Sequence, residues 1–178
     1  MQDMLVNLYA SDAPFLRMDE AALKSASGEP VTLRRALAPE RNLVVDWVGT
    51  QFSQGWASEA AVAFSNTPTK CHLAHCGDGV GGARLVGFAC FDATALGFFG
   101  PLAVDAEERG SGIGAALLKA TLIAMRDYGY AYAIIGGVGP AEFYTRVAGA
   151  TLIPDSTPGV FAGLLRATPI NPKKDSQT

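Results

Sequence analysis

The 178-residue sequence predicts one mixed α/β domain in which helices flank a central, mostly antiparallel sheet. Three observations carry this prediction. Segments with helical spacing of apolar residues alternate with strand-like ones along most of the chain. About half of the residues, 49%, are apolar, which suffices for one buried core at this length. Three strand-like segments in the middle, joined by short connections, read as an antiparallel meander.

The elements follow in order. Residues 1–30 read as an extension, with a strand over Leu5–Tyr9 and a helix from Ala13 to Ser25. The stretch Ser27-Gly28-Glu29-Pro30 breaks the chain, and Val31–Arg35 alternates as a strand. Pro39 opens a helix through Phe52, with Leu43, Val44, Trp47 and Val48 at helical spacing. After Ser53-Gln54-Gly55 a second helix spans Trp56–Phe64. The meander comprises Lys70–Cys76, a Gly-rich turn at 77–82, Arg84–Asp92 and Gly97–Val104. A long helix follows over Gly112–Tyr128, with an apolar stripe of Ile113, Leu117, Ala120, Ala124 and Tyr128. Gly129 stands where a left-handed residue ends a helix. Tyr130–Ile135 reads as a buried strand, and Gly139-Pro140 begins another helix with proline in its first turn. Two short strands around a Pro154–Pro158 turn run to Arg166, and a polar tail closes the chain.

Composition excludes some functions. The formal net charge of −3 argues against a nucleic-acid or anionic-membrane partner, since both favour a basic footprint. No segment has the ~18 uninterrupted apolar residues of a membrane-crossing helix. The N-terminus, with Asp3 and only a short apolar run, does not read as a signal peptide. Three cysteines are too few and odd for a disulfide scaffold, which points to a reducing cytoplasm. Cys71-His72-Leu-Ala-His75-Cys76 has metal-ligating residue types. On a strand they alternate between faces and cannot converge on one tetrahedral ion, so no metal is expected.

The segment from Leu102 to Gly114 carries the chemistry. It joins a strand to the long helix, so the unpaired N–H groups of Ile113, Gly114 and Ala115 point at whatever lies before the helix. They carry partial positive charge and suit a diphosphate. Gly110, Gly112 and Gly114 let phosphate oxygens approach the backbone beside Ser111, and Arg109 adds a fixed positive charge. Upstream, Gly100-Pro101 interrupts its strand, because proline donates no ladder bond.

These residues resemble the GNAT superfamily of N-acetyltransferases, whose coenzyme A loop follows Arg/Gln-x-x-Gly-x-Gly/Ala, met here by Arg109, Gly112 and Gly114. The order of elements from Val31 to Arg166 resembles the whole fold, so 31–168 is expected as the acyltransferase domain and 169–178 as its tail. The resemblance implies a sheet splayed between its fourth and fifth core strands, with acetyl-coenzyme A as cosubstrate. It implies that the backbone of Leu102, Ala103 and Val104 pairs with the pantetheine arm, one N–H polarising the thioester carbonyl. Phe143-Tyr144 matches the Phe-Tyr of the family, which implies that Tyr144 protonates the leaving thiolate. The family's Asn-x-x-Ala before that pair is replaced by Gly137 and Pro140. For deprotonating the acceptor amine, Asp92 ranks ahead of Glu59. Trp47, Phe52, Trp56 and Phe98 or Phe99 are implied as walls of the acceptor pocket. The expected acceptor is a small-molecule or peptide amine, and homodimers are common in the family.

Two rivals stand beside this reading. A dinucleotide-binding oxidoreductase shares the Gly-x-Gly-x-Gly spacing, but it needs an acid ~20 residues on. The strand there ends Ile134-Ile135-Gly136-Gly137. A non-catalytic acyl-coenzyme A sensor of the same fold is the other.

Overall fold

The computed structural model describes residues 2–17, 22–77 and 82–165. Seven strands form one sheet: β1 (Met4–Asn7), β2 (Val31–Arg35), β3 (Cys71–Cys76), β4 (Arg84–Phe91), β5 (Phe98–Val104), β6 (Tyr132–Ile135) and β7 (Thr151–Leu152). Four helices flank it: α1 (Arg41–Gln51), α2 (Gln54–Phe64), α3 (Ile113–Asp127) and α4 (Ala141–Ala148). The strand order is β2-β3-β4-β5-β6-β1-β7, antiparallel throughout except for the parallel pair β5–β6. The mixed class and the meander are therefore as expected, with element ends shifted by one or two residues.

The sheet separates two cores. On one face α1 and α2 bury Val44, Val48, Ala57, Ala60 and Ala63 against Leu73, Phe88 and Cys90. On the other, α3 and α4 cover Val86, Phe91, Phe99, Ala133 and Ile135. Cys71 packs in the first core, whereas His72 hydrogen-bonds to Thr121 on the α3 side. The two residues face opposite ways, as strand alternation requires.

Five expectations need correction. The stripe foreseen for α3 is displaced: its buried face is Ile113, Leu117, Leu118, Thr121, Leu122, Ala124 and Met125, and Tyr128 is 42% exposed. The 3-10 turn Pro14–Leu16 packs across α3 and widens the face that must be apolar. That turn also stands where part of the Ala13–Ser25 helix was expected. Of that helix, residues 18–21 lie outside the described residues, and Lys24 forms an isolated bridge with Pro30. The strand expected after Pro158 is a 3-10 turn, Gly159–Phe161, while Arg166 lies outside the described residues. The sheet position beside β6 is already filled by β1, from the segment taken as an extension, and β7 adds outside β1. Pro140 caps α4 from outside rather than beginning it.

Gly129, with φ of +97°, ends α3 as foreseen, a left-handed conformation in which a Cβ is strained. No helix among the described residues is long and apolar enough to cross a membrane.

His72 is a buried titratable group in this core. Burial first, and then the Arg35 charge, push its imidazole from 6.5 down to about 4. Between those values the unfolded imidazole takes up a proton that the folded one refuses, so stability falls as pH drops through this window. The contribution is about 3 kcal/mol at most. We expect His72→Gln to flatten the stability profile between pH 7 and pH 4, measured by urea unfolding at a series of pH values.

Candidate active site

The site begins where the sheet comes apart. Strand β4 pairs with β5 through Gly87↔Val104, Phe88↔Ala103 and Ala89↔Leu102, then jumps to Phe91↔Phe99. Gly100 and Pro101 are the residues skipped, and Gly100 takes φ of +121°, which a side chain would strain. On its other side β5 pairs with β6 only through Phe98↔Ile134 and Phe99↔Ile135. From Leu102 to Val104 no β6 partner remains, so the sheet is splayed between its fourth and fifth core strands as expected. The Asp105 N–H donates to the Val86 carbonyl at 2.9 Å. Alternation along an antiparallel strand then turns the backbone groups of Ala103 toward β4 and those of Leu102 and Val104 toward the gap. Of the three residues Leu102, Ala103 and Val104, the first and last therefore present their backbone to the gap.

A cleft of about 950 Å³ passes through this gap. Phe52, Trp56 and Glu59 line it from the α1–α2 side, and Phe143 and Tyr144 from the α4 side. The split in the sheet thus joins the two faces, and Arg109 stands at one end.

The cradle follows β5. Gly110 and Gly112 adopt φ of +84° and +86°, so both glycines are required by backbone conformation. Gly112 is the N-cap of α3 and offers no side chain to its first turn. The N–H groups of Ile113, Gly114 and Ala115 therefore face outward, and Ala116 is the first to bond back, to Gly112 at 3.1 Å. A Cβ on Gly112 or Gly110 would meet open space or ordinary contact, so room remains for an anion. Arg109 is exposed at the mouth. Glu108, immediately before it, is buried and fixes the loop. It accepts from the Ala26 N–H and from Arg84, each at 2.7 Å. These two bonds, the Ala26 N–H first, hold its carboxyl below the usual carboxylate range. Its charge is thereby neutralised locally and does not oppose an anion in the cradle. Ser111 donates to the Glu108 carbonyl and closes the turn.

Tyr144 lines the cleft, held edge-on by Phe143 at 5.0 Å and Phe99 at 6.4 Å between ring centroids. Burial raises its phenol above the ordinary value, so it remains a proton donor at neutral pH. The replacement of the family's Asn by Gly137 has a visible cause. The Gly137 N–H donates to buried Asp3 at 2.8 Å, and a Cβ there would lie 3.2 Å from the Phe161 ring.

Asp92 does not stand in the cleft, which corrects its ranking as the base. Its φ of +53° places it at the tight β4–β5 turn. Its carboxylate accepts from Lys70 at 2.6 Å, Tyr130 at 2.7 Å and the Gly97 N–H at 2.7 Å. These three donors, one of them a cation, take up most of its acceptor capacity and tie it to the turn instead of to the cleft. Burial and then this bond push the Tyr130 phenol up to about 12, so Tyr130 keeps its proton. Glu59, ranked second from the sequence, is half-buried on the cleft wall and accepts from the Thr94 hydroxyl. Its position reflects the close packing of α2 on the β4–β5 region, which local sequence does not reveal. Of the expected pocket walls, Phe52, Trp56 and Phe99 line the cleft. Trp47 stands behind Phe52, edge-on at 5.3 Å, and Phe98 packs over Gly136.

The chain has counterparts among known proteins. Residues 41–150 match the model of the acetyltransferase (GNAT) family, and the chain belongs to that family. A comparison with curated protein sequences finds no match. Among solved structures it is similar to the GCN5-related glucosamine N-acetyltransferase region of a fungal multi-domain GH3 beta-N-acetylglucosaminidase, with TM-score 0.64 and 16% identity. A GCN5-related N-acetyltransferase from Sphaerobacter thermophilus gives TM-score 0.60 at 19% identity, and a Drosophila protein 0.60 at 14%. Each alignment covers 85% of this chain but only 19%, 48% and 47% of those chains, respectively. At such identities the likeness is one of fold.

If Asp92 is structural, Asp92→Asn strands the Lys70 ammonium, whose side chain is only 13% exposed. Breaking a buried pair in this way costs about 3 kcal/mol. We expect chemical denaturation to show that loss, with acetyl-coenzyme A affinity of the folded variant unchanged.

Proposed function

We propose that the protein transfers an acetyl group from acetyl-coenzyme A to a primary amine, and that residues 31–168, completed by β1, carry the transfer. The observation that supports this most is the single cleft running from Arg109, through the gap beside Leu102 and Val104, to Tyr144 and Glu59. The cradle fits a diphosphate in conformation, charge and room. Acetyl-coenzyme A supplies an activated acyl carbon as a thioester. The chain's own groups do the rest. The helix N-terminus and Arg109 hold the diphosphate. Leu102 and Val104 offer backbone donors and acceptors to an amide-bearing arm, and one N–H polarises the acyl carbonyl. Glu59 takes the proton that the attacking amine must lose, directly or through water. Tyr144 returns a proton to the departing thiolate.

The amine would enter from the α1–α2 face while the thioester arrives along the gap, so both reach the acyl carbon without sharing one opening. That converts a bimolecular encounter into an oriented one, the main benefit of such a site. The proposed setting is cytoplasmic, with a small-molecule or peptide amine as partner.

Acetyl-coenzyme A at 100-fold its dissociation constant should stabilise the protein by about 2.7 kcal/mol. Gly112→Ala and Gly112→Asp strain the backbone alike, but only the second puts a carboxylate into the phosphate position. We expect calorimetry to show a ligand-induced shift in the Ala variant and none in the Asp variant. An unchanged shift in both would remove the cradle from cofactor binding.

Tyr144→Phe keeps the ring and its packing while deleting the donor. Cofactor affinity should hold, and kcat should fall about 10²-fold, the usual worth of general-acid catalysis. Thiol release under saturating acetyl-coenzyme A measures this. A change confined to KM would assign the hydroxyl to uniform binding instead.

A further inference from the structure

The acceptor end of the cleft has a composition that narrows the amine. It is formed by Phe52 at the end of α1, Trp56 and Glu59 on α2, and Thr94 in the β4–β5 connection. Trp56 and Glu59 are three residues apart on one helix, so an indole and a carboxylate stand side by side on one face. The Phe52 ring lies 5.8 Å from Trp56, tilted by 39°. Trp47 and Phe88 back Phe52 at 5.3 Å and 6.3 Å, which fixes it from behind. Trp56 remains 37% exposed, a large ring left open beside the carboxylate.

We propose that the acceptor is a primary monoamine on a short stem attached to an aromatic or apolar body, rather than an amino acid, polyamine or amino sugar. This rests on the acetyl-transfer reading and specifies its second substrate. Glu59 uses Oε1 to accept from Thr94 and keeps Oε2 for one ammonium. The adjacent rings favour the same cation through their π faces and bury the body attached to it. Among the described lining residues Glu59 is the one acid and Arg109 the one base, and Arg109 belongs to the cradle end. A substrate carboxylate would enter this aromatic corner without a counter-charge, and a second ammonium without an acid. The hydroxyls of a sugar would exchange water for ring faces, which sites lacking matching polar groups penalise.

The test compares 2-phenylethylamine, ethylamine, L-phenylalanine, spermidine and glucosamine as acceptors, following thiol release from acetyl-coenzyme A. Titrating 2-phenylethylamine into the coenzyme A-saturated protein, read by tryptophan fluorescence, accompanies it. We expect kcat/KM for 2-phenylethylamine to exceed each of the others by at least about 10-fold. Trp56→Ala should bring 2-phenylethylamine to within about twofold of ethylamine, and Trp56→Phe should keep most of the preference. Retention of the acetyl-coenzyme A thermal shift shows that each variant is folded. Turnover of L-phenylalanine, spermidine or glucosamine as fast as 2-phenylethylamine overturns this inference and leaves acetyl transfer standing. A preference that survives Trp56→Ala overturns it equally. Saturable binding of 2-phenylethylamine without turnover of any amine overturns acetyl transfer and retains the aromatic-amine site. Neither binding nor turnover overturns both.

Discussion

Strands β5 and β6 share only two paired positions before they part, in the middle of a seven-stranded sheet. Buried backbone groups need partners, so a gap inside a sheet is costly unless something else satisfies them. Around this gap the protein leaves the backbone of Leu102 and Val104 turned inward, with no strand to receive it. The bulge at Gly100 and Pro101 bends β5 at the point where the strands part. Because the gap penetrates the sheet, helices on opposite faces contribute to one cleft. A fully paired sheet would keep α2 and α4 on separate surfaces.

Buried acids hold the lips of this opening. Glu108 ties the start of the cradle to Arg84 and to the backbone at Ala26. Asp3 accepts from the Gly137 N–H, while its own N–H donates to Ser156, joining β1 to the turn after β6 and to the last segment of the described chain. Asp92 fastens the β4–β5 turn through Lys70, Tyr130 and Gly97. Each of these carboxylates is buried and accepts from protein donors, which suits a fixed frame and leaves little for chemistry. Glu59 has one neighbouring hydroxyl and a face toward the cleft. Burial of the carboxylate, more than proximity in the chain, separates the structural acids from the half-buried one on the cleft wall.

The acyl-transfer reading draws on the same division of labour. Rigid groups shape the passage, and a small set of partly exposed ones, Arg109, Glu59 and Tyr144, face its interior. Tyr144 owes its orientation to two edge-on aromatic contacts and its raised phenol to burial. Neither needs a neighbouring charge, so the donor is set by packing alone.

Sequence by itself determined the features that depend on neighbours along the chain. The glycines at 110 and 112, the proline inside β5 and the glycine after α3 each act through local backbone geometry, and each stands where its residue type required. The family and the class of fold were legible for that reason. Tertiary structure alone decided how distant segments meet. The first strand occupies the place beside β6 because of contacts 125 to 131 residues away, which no local period encodes. The buried face of α3 is widened by the Pro14–Leu16 turn crossing it. Asp92 and Glu59 are both acids in plausible positions along the chain. Their roles diverge because three donors from separate parts of the chain converge on Asp92, while helix packing turns Glu59 toward open space. Convergence of donors on one carboxylate is decided in three dimensions, and the order of residues does not contain it.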